Sequence, residues 1–263
     1  MMLEDWTNAV FEIDFDARLL FVMAAIALAG FLRGFIGFGA ALISVPVLSL
    51  AYGPHIAVAV VTVMGLPSTL QLLPDTLRHS ERSIVLPIAL AIFLALPIGT
   101  WVLVSVDPNL MKIAISSGVV LMVAFLAKGG QLTEKVSQPI LLLAGAIGGL
   151  VQGAAGIGGP PVVAVALSRS GTPEQQRGNV LAVIAALVFA SVPSLFYFDL
   201  LTPEAVAYGL ILLLPNLLAT WIGSRYFSGA GRGQFRNVAL IVLAIIALTT
   251  LVVAIWDAFS RAA

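Results

Sequence analysis

The sequence predicts an all-α integral membrane protein built from two inverted repeats, each a broken or re-entrant helical hairpin followed by three transmembrane helices. Three observations predict it. Hydrophobic residues fill 60% of the 263 positions and charged residues only 10%, with a mean hydropathy of +1.08. The charges collect in short clusters, and the apolar runs between them have membrane length. A glycine pattern that begins at Gly30 returns at Gly149. A soluble domain carries about 25% charged residues, and this chain has too few to cover a folded surface with polar groups.

Taken in order, the elements follow from where the charges fall. The first 17 residues hold five acids, Glu4, Asp5, Glu12, Asp14 and Asp16, the wrong sign for a signal-peptide start. Leu19–Tyr52 is an apolar run of 34 residues interrupted by glycines, too long for one tilted helix, and reads as two shorter helices. Ile56–Leu73, Ile84–Val104 and Leu110–Ala127 each have the length that spans a bilayer core. Pro139–Leu167, 29 residues with a second glycine-rich break, is again two helices. Val180–Phe198, Ala205–Gly223 and Val238–Trp256 complete the set. None of these runs shows the ten-residue alternation of a barrel strand.

Lysine and arginine set the expected orientation. The loops at 75–83, 127–138, 168–178 and 225–236 hold nine of the thirteen basic residues, whereas those at 51–55, 105–109 and 199–204 hold none. The former are expected in the cytoplasm and the acidic N-terminus outside. The chain then divides into an extracytoplasmic segment at 1–17, a first transmembrane repeat at 18–128, a cytoplasmic linker at 129–138 and a second repeat at 139–263. The two broken segments enter from opposite faces, so the halves are expected to be inverted, the plan of many secondary transporters.

The duplication is explicit at one offset. Glycines coincide 119 residues apart at 30/149, 34/153, 37/156 and 39/158, and Thr100 and Trp101 return 120 residues later as Thr220 and Trp221. Glycines in membrane helices often serve only close packing. Here the second set runs into Gly159, Pro160 and Pro161, and proline interrupts a helix except in its first turn. Gly156–Gly159 is therefore expected to be unwound, with a half-helix starting near Pro160, and Gly37–Gly39 to start its counterpart. Half-helix N-termini carry partial positive charge and N–H groups, which suits an anion. Arg33 sharpens the sign. It is the one charge between Leu19 and Pro74, and an unpaired arginine at membrane depth costs at least ~2.5 kcal/mol unless it snorkels to the interface. Its counterpart is Gln152. A guanidinium, an amide and two helix ends make a site for a small anion, and guanidinium suits bidentate oxyanions.

With these residues in place, the chain resembles the sulfite exporter TauE/SafE family of bacterial membrane proteins. The resemblance rests on the glycine-rich stretch at 30–46, its echo at 149–161 and the duplication across the length. It implies seven to nine hydrophobic segments in two related halves, residence in the bacterial inner membrane, and transport of sulfite, sulfonates or related small organic anions. The residues alone reach only a small anion. Arg33 departs from the uncharged glycine pattern the resemblance implies there.

The candidate substrate-binding residues are thus Arg33, Gly37, Gly39, Gln152, Gly156, Gly158 and Gly159, joined by Thr62, Asn179 and Asn216 from the following helices. Ser191 and Ser194 share a helix with Asn179. For Thr62 and the serines the competing role is a bond to their own backbone, and for Asn216 it is gluing helices together. His79 lies in a basic loop expected in the cytoplasm and reads as solvated, His55 at an outer helix start reads as a capping or solvated group, and Trp6, Trp101, Trp221 and Trp256 near predicted membrane ends read as interfacial anchors. Zero net charge without a basic patch argues against a nucleic-acid partner. With no cysteine and two histidines, a metal site or cofactor is not expected. No HExxH motif, buried acid pair or nucleotide-binding loop is present, so the expectation is a non-enzymatic carrier. An anion channel of the same fold, or a carrier of a non-sulfur anion, is the alternative, and the chain as part of a homo-oligomer stays open.

Overall fold

The computed structural model describes residues 16–36, 39–127, 137–167 and 173–226, and within 241–259 all but 242, 243, 247 and 258. Gly37, most of the 1–17 segment and the 129–138 linker, and the basic residues of the 225–236 loop other than Arg225 lie outside the described residues. All regular structure among the described residues is helical: α1 (Ala17–Ile36), α2 (Ala40–Tyr52), α3 (Pro54–His79), α4 (Arg82–Ser105), α5 (Pro108–Ala127), α6 (Gln138–Ala155), α7 (Gly159–Ala166), α8 (Pro173–Tyr197) and α9 (Pro203–Tyr226), followed by helical residues within 241–259. Among the described residues, five stretches are long and apolar enough to cross a membrane: Arg82–Ser105, Pro108–Phe125, Gln138–Ala155, Gly178–Tyr197 and Pro203–Gly223.

Several helix starts are fixed by local chemistry. Leu19 N–H donates to Asp16 Oδ1 at 2.8 Å, Asn109 and Leu110 N–H donate to Asp107 Oδ1 at 2.9 and 3.2 Å, and Ala205 N–H donates to Thr202 Oγ1 at 3.2 Å. An acceptor side chain satisfies donors that a helix start leaves orphaned, and a carboxylate there also suits the helix dipole.

Both glycine-rich segments break as expected. α1 ends at Ile36 and α2 begins at Ala40; α6 ends at Ala155 and α7 begins at Gly159, so both boundaries recur at the 119-residue offset. The second member of each pair is short, 13 residues in α2 and 8 in α7. At 1.5 Å per residue these reach roughly 20 and 12 Å, less than the ~30 Å bilayer core.

The chain divides into two compact units that are not consecutive stretches of sequence: residues 1–64, 106–124 and 199–263 form one, and 65–105 and 125–198 the other. Each draws on both repeats. In the first unit α1 packs on α9 and on α2; in the second α4 packs on α6 and α8, with α7 between α6 and α8. Under the repeat offset α1 corresponds to α6 and α9 to α4, so the pairing α1 with α9 and the pairing α6 with α4 are the same pair built twice, with the halves exchanged.

Close packing in the second unit depends on glycine. A Cβ on Gly149 would meet Ile92 O at 2.9 Å, one on Gly145 would meet Ile88 O at 2.5 Å, and one on Gly153 would meet Thr100 N at 2.6 Å. Three glycines four residues apart thus form a groove on α6 that takes the backbone of α4, the small-residue contact by which membrane helices approach. Ile84, Ile88, Ile92 and Leu96 of α4 fill the core with Leu141, Val162 and Leu187. The opposite face of α4 exposes Leu86, Leu90, Leu94 and Trp101, a surface that lipid accepts. In the first unit Gly30 lies against Asn216 and Thr220 of α9, and Gly223 against the backbone of Phe31.

Candidate functional site

The α6–α7 break in the second unit is organised by one side chain. Gly156, at φ 67° and ψ 10°, turns the chain out of α6, and its N–H donates to the Gln152 carbonyl at 2.8 Å. Two residues on, Gly158 N–H donates to Gln152 Oε1 at 3.1 Å. Gln152 Nε2 donates to Ser191 Oγ of α8 at 3.4 Å, and that hydroxyl donates to Leu187 O at 2.8 Å. Gln152 and Ser191 are buried. One residue thus accepts two N–H groups of the break and ties it to a third helix. The glycines divide by cause. Gly156 is required by its left-handed backbone. Gly158 is required by space, since a Cβ would meet Gln152 Cβ at 2.7 Å and its backbone N at 2.9 Å, while Gly159 has nothing within 4 Å.

Free N–H groups are expected from the sequence at both half-helix starts. In α7 the supply is small, because Pro160 and Pro161 occupy the first turn without N–H groups and the N–H of Gly158 is taken by Gln152. Elsewhere in this unit, Ser194 Oγ donates to Thr100 Oγ1 at 2.8 Å, and Thr100 donates on to Leu96 O at 3.2 Å.

The α1–α2 break in the first unit is built differently. Gly39, at φ 96° and ψ −3°, precedes α2, and its carbonyl accepts the Leu42 N–H at 3.0 Å. Arg33 lies in the last turn of α1, half-buried, with no hydrogen-bond or ion-pair partner among the described residues. The same unit holds Ser49 of α2, whose buried hydroxyl is without a partner among the described residues. The sequence carries no signal for Ser49, one of many serines in apolar runs.

The remaining candidates separate. Asn216 is buried, with Nδ2 4.0 Å from Met64 Sδ of α3 and Oδ1 accepting from Thr220 Oγ1 at 3.3 Å one turn along α9. Thr62 donates to Val58 O at 2.9 Å, the backbone bond available to any helical threonine. Asn179 Oδ1 accepts the Glu81 N–H at 2.6 Å and its Nδ2 donates to Glu81 Oε1 at 3.4 Å, which pins the turn between α3 and α4. Asn179 stands twelve residues before Ser191 on α8, about 18 Å along the helix, and so belongs to a different end of that unit from Gln152. Gln152, Gly156, Gly158 and Gly159 come together with Ser191; Arg33 and Gly39 bracket the other break.

The sequence matches the family described as "Sulfite exporter TauE/SafE" over residues 22–250. Comparison with curated proteins and with solved structures finds no match.

Proposed function

Because the chain belongs to the sulfite exporter TauE/SafE family, we propose that it moves a small organosulfur or sulfite-type anion (a sulfite, sulfonate or sulfocarboxylate) across the bacterial inner membrane by alternating access. The observation that carries the anionic reading is Arg33, a half-buried cation in the last turn of α1, on the chain just ahead of the left-handed Gly39 that leads into α2. A lone guanidinium within an apolar segment is costly without an anionic partner, and its planar fork matches a sulfonate or carboxylate by paired hydrogen bonds. In this reading the basic loops face the cytoplasm, the acidic N-terminus faces outward, and the duplicated segments with three helices after each give halves of opposite orientation.

The test is binding followed by flux. Purified protein is screened by thermal shift against sulfite, sulfate, taurine, sulfoacetate, sulfolactate and simple carboxylates, and the anion that stabilises it is then assayed with Arg33→Gln. The expected result is a loss of the ligand-induced shift in a variant that still melts cooperatively. Unchanged affinity in Arg33→Gln would mean that the side chain only snorkels. Saturable, trans-stimulated uptake into proteoliposomes supports the carrier, and conductance without saturation would make the protein a channel.

A further inference from the structure

The two breaks occupy equivalent places in the repeat yet carry opposite chemistry at one position. Gln152 and Arg33 are separated by the 119-residue offset, as are Gly158 and Gly39. An amide has both an acceptor and donors, whereas a guanidinium has five N–H donors and no acceptor. At the α6–α7 break the Gln152 amide oxygen accepts the Gly158 N–H at 3.1 Å, and its nitrogen donates to Ser191 Oγ at 3.4 Å. Ser191 in turn spends its hydrogen on Leu187 O. The next two helical positions after Gly159 are prolines, with no N–H to offer. The Gly156 and Gly158 N–H groups are therefore both held by Gln152, whose side chain is itself tied to α8. At the α1–α2 break the Arg33 side chain cannot play the part of the Gln152 amide, because a guanidinium has no acceptor for the Gly39 N–H.

We propose that Gln152 is a positioning residue whose amide oxygen acts as a built-in ligand of the α6–α7 break, so that the two breaks are unequal and the transported anion is held on the Arg33 side alone. Gln152 then fixes the shape of its break and its link to α8 without touching the substrate. The proposal rests on the anionic reading of Arg33 given above, and it departs from a symmetric site in which Gln152 and Arg33 share the anion. The two side chains should consequently separate affinity from rate.

The experiment uses the full chain in proteoliposomes loaded with the sulfur anion that gives the largest thermal shift, and compares Gln152→Leu, Gln152→Glu and Arg33→Gln. Gln152→Leu removes the acceptor, and Gln152→Glu keeps one. The expected result is a KM within about twofold of the parent for Gln152→Leu with a maximal rate at least about tenfold lower, part of that rate restored in Gln152→Glu, and a KM at least about tenfold higher for Arg33→Gln. Hydrogen exchange provides a readout that does not depend on flux: the peptide containing Gly158 exchanges faster in Gln152→Leu than in the parent and is again protected in Gln152→Glu. A KM raised by Gln152→Leu as much as by Arg33→Gln would overturn the proposal in favour of a shared site, as would unchanged exchange at the break. An unchanged KM in Arg33→Gln, with the exchange and rate effects at Gln152 intact, would instead overturn the anionic reading of Arg33 and with it the one-sided site, leaving Gln152 as the residue that shapes its break.

Discussion

Adjacent glycines at the α6–α7 break should respond in opposite ways to the same substitution. In Gly158→Ala the new methyl would lie 2.7 Å from Gln152 Cβ and 2.9 Å from Gln152 N, and closer still to the Gly148 carbonyl. Ordinary carbon contacts fall at about 3.5–4.0 Å, so the break must move by roughly 1 Å away from α6. Overpacking of this kind costs about 1–3 kcal/mol. The same movement stretches the 3.1 Å bond from Gly158 N–H to Gln152 Oε1, and a lost hydrogen bond between buried groups adds about 1 kcal/mol. The sum is about 2–4 kcal/mol, a fall in melting temperature on the order of 5–10 °C for a chain of this size. In Gly159→Ala nothing lies within 4 Å of the new methyl and the residue is already helical, so the change should be neutral or stabilising by up to about 1 kcal/mol. Thermal melting of both variants in one detergent, with size-exclusion profiles as the folding control, makes the comparison. Equal melting temperatures for the two, or a larger loss in Gly159→Ala, would refute the assignment of the glycines by space.

Four further substitutions, at Gly39, Gly153 and Gly65, test the other glycine roles. Gly39→Ala meets no neighbour within 4 Å but must adopt φ 96°, so it should destabilise by about 1–2 kcal/mol, with Gly39→Asn milder in the same melt. Gly153→Ala puts a methyl 2.6 Å from Thr100 N and should force α4 off α6 at a cost of about 1–3 kcal/mol, whereas Gly65→Ala, whose nearest neighbour is a Val188 methyl at 3.6 Å, should melt like the parent.

Much of the fold was legible because the bilayer turns composition into structure. Apolar runs between Arg82 and Ser105 or Pro203 and Gly223 have to be helices, since lipid offers no partner for an unpaired backbone group. The breaks were legible for a related reason: Gly156, Gly158 and the prolines after Gly159 are poor company inside a helix, and the 119-residue echo located both breaks to within a residue or two. The site was legible only in part. Gln152 and Ser191 were visible as polar residues in apolar runs, but nothing local indicated that the Gln152 amide would reach forward to Gly158 or sideways to α8. Asn179 and Thr62 were both candidates from the helices that follow the breaks, yet one pins the α3–α4 turn and the other bonds its own helix.

By itself the sequence determined that the protein lives in a membrane, which segments are helical, where two of them break, and that a single charge lies within the first broken segment. These are decided by local composition, because hydrophobicity and helix-breaking act on the residues that carry them. Only the tertiary structure decided that α6 takes α4 as its partner and α1 takes α9, that Gly149 and Gly153 serve packing while Gly156 and Gly158 serve the break, and that Gln152 closes one break on itself. Lipid tails are as apolar as the side chains, so no hydrophobic pattern marks which helix faces will meet. The choice is made by backbones that approach across a glycine and by hydrogen bonds that only that approach permits.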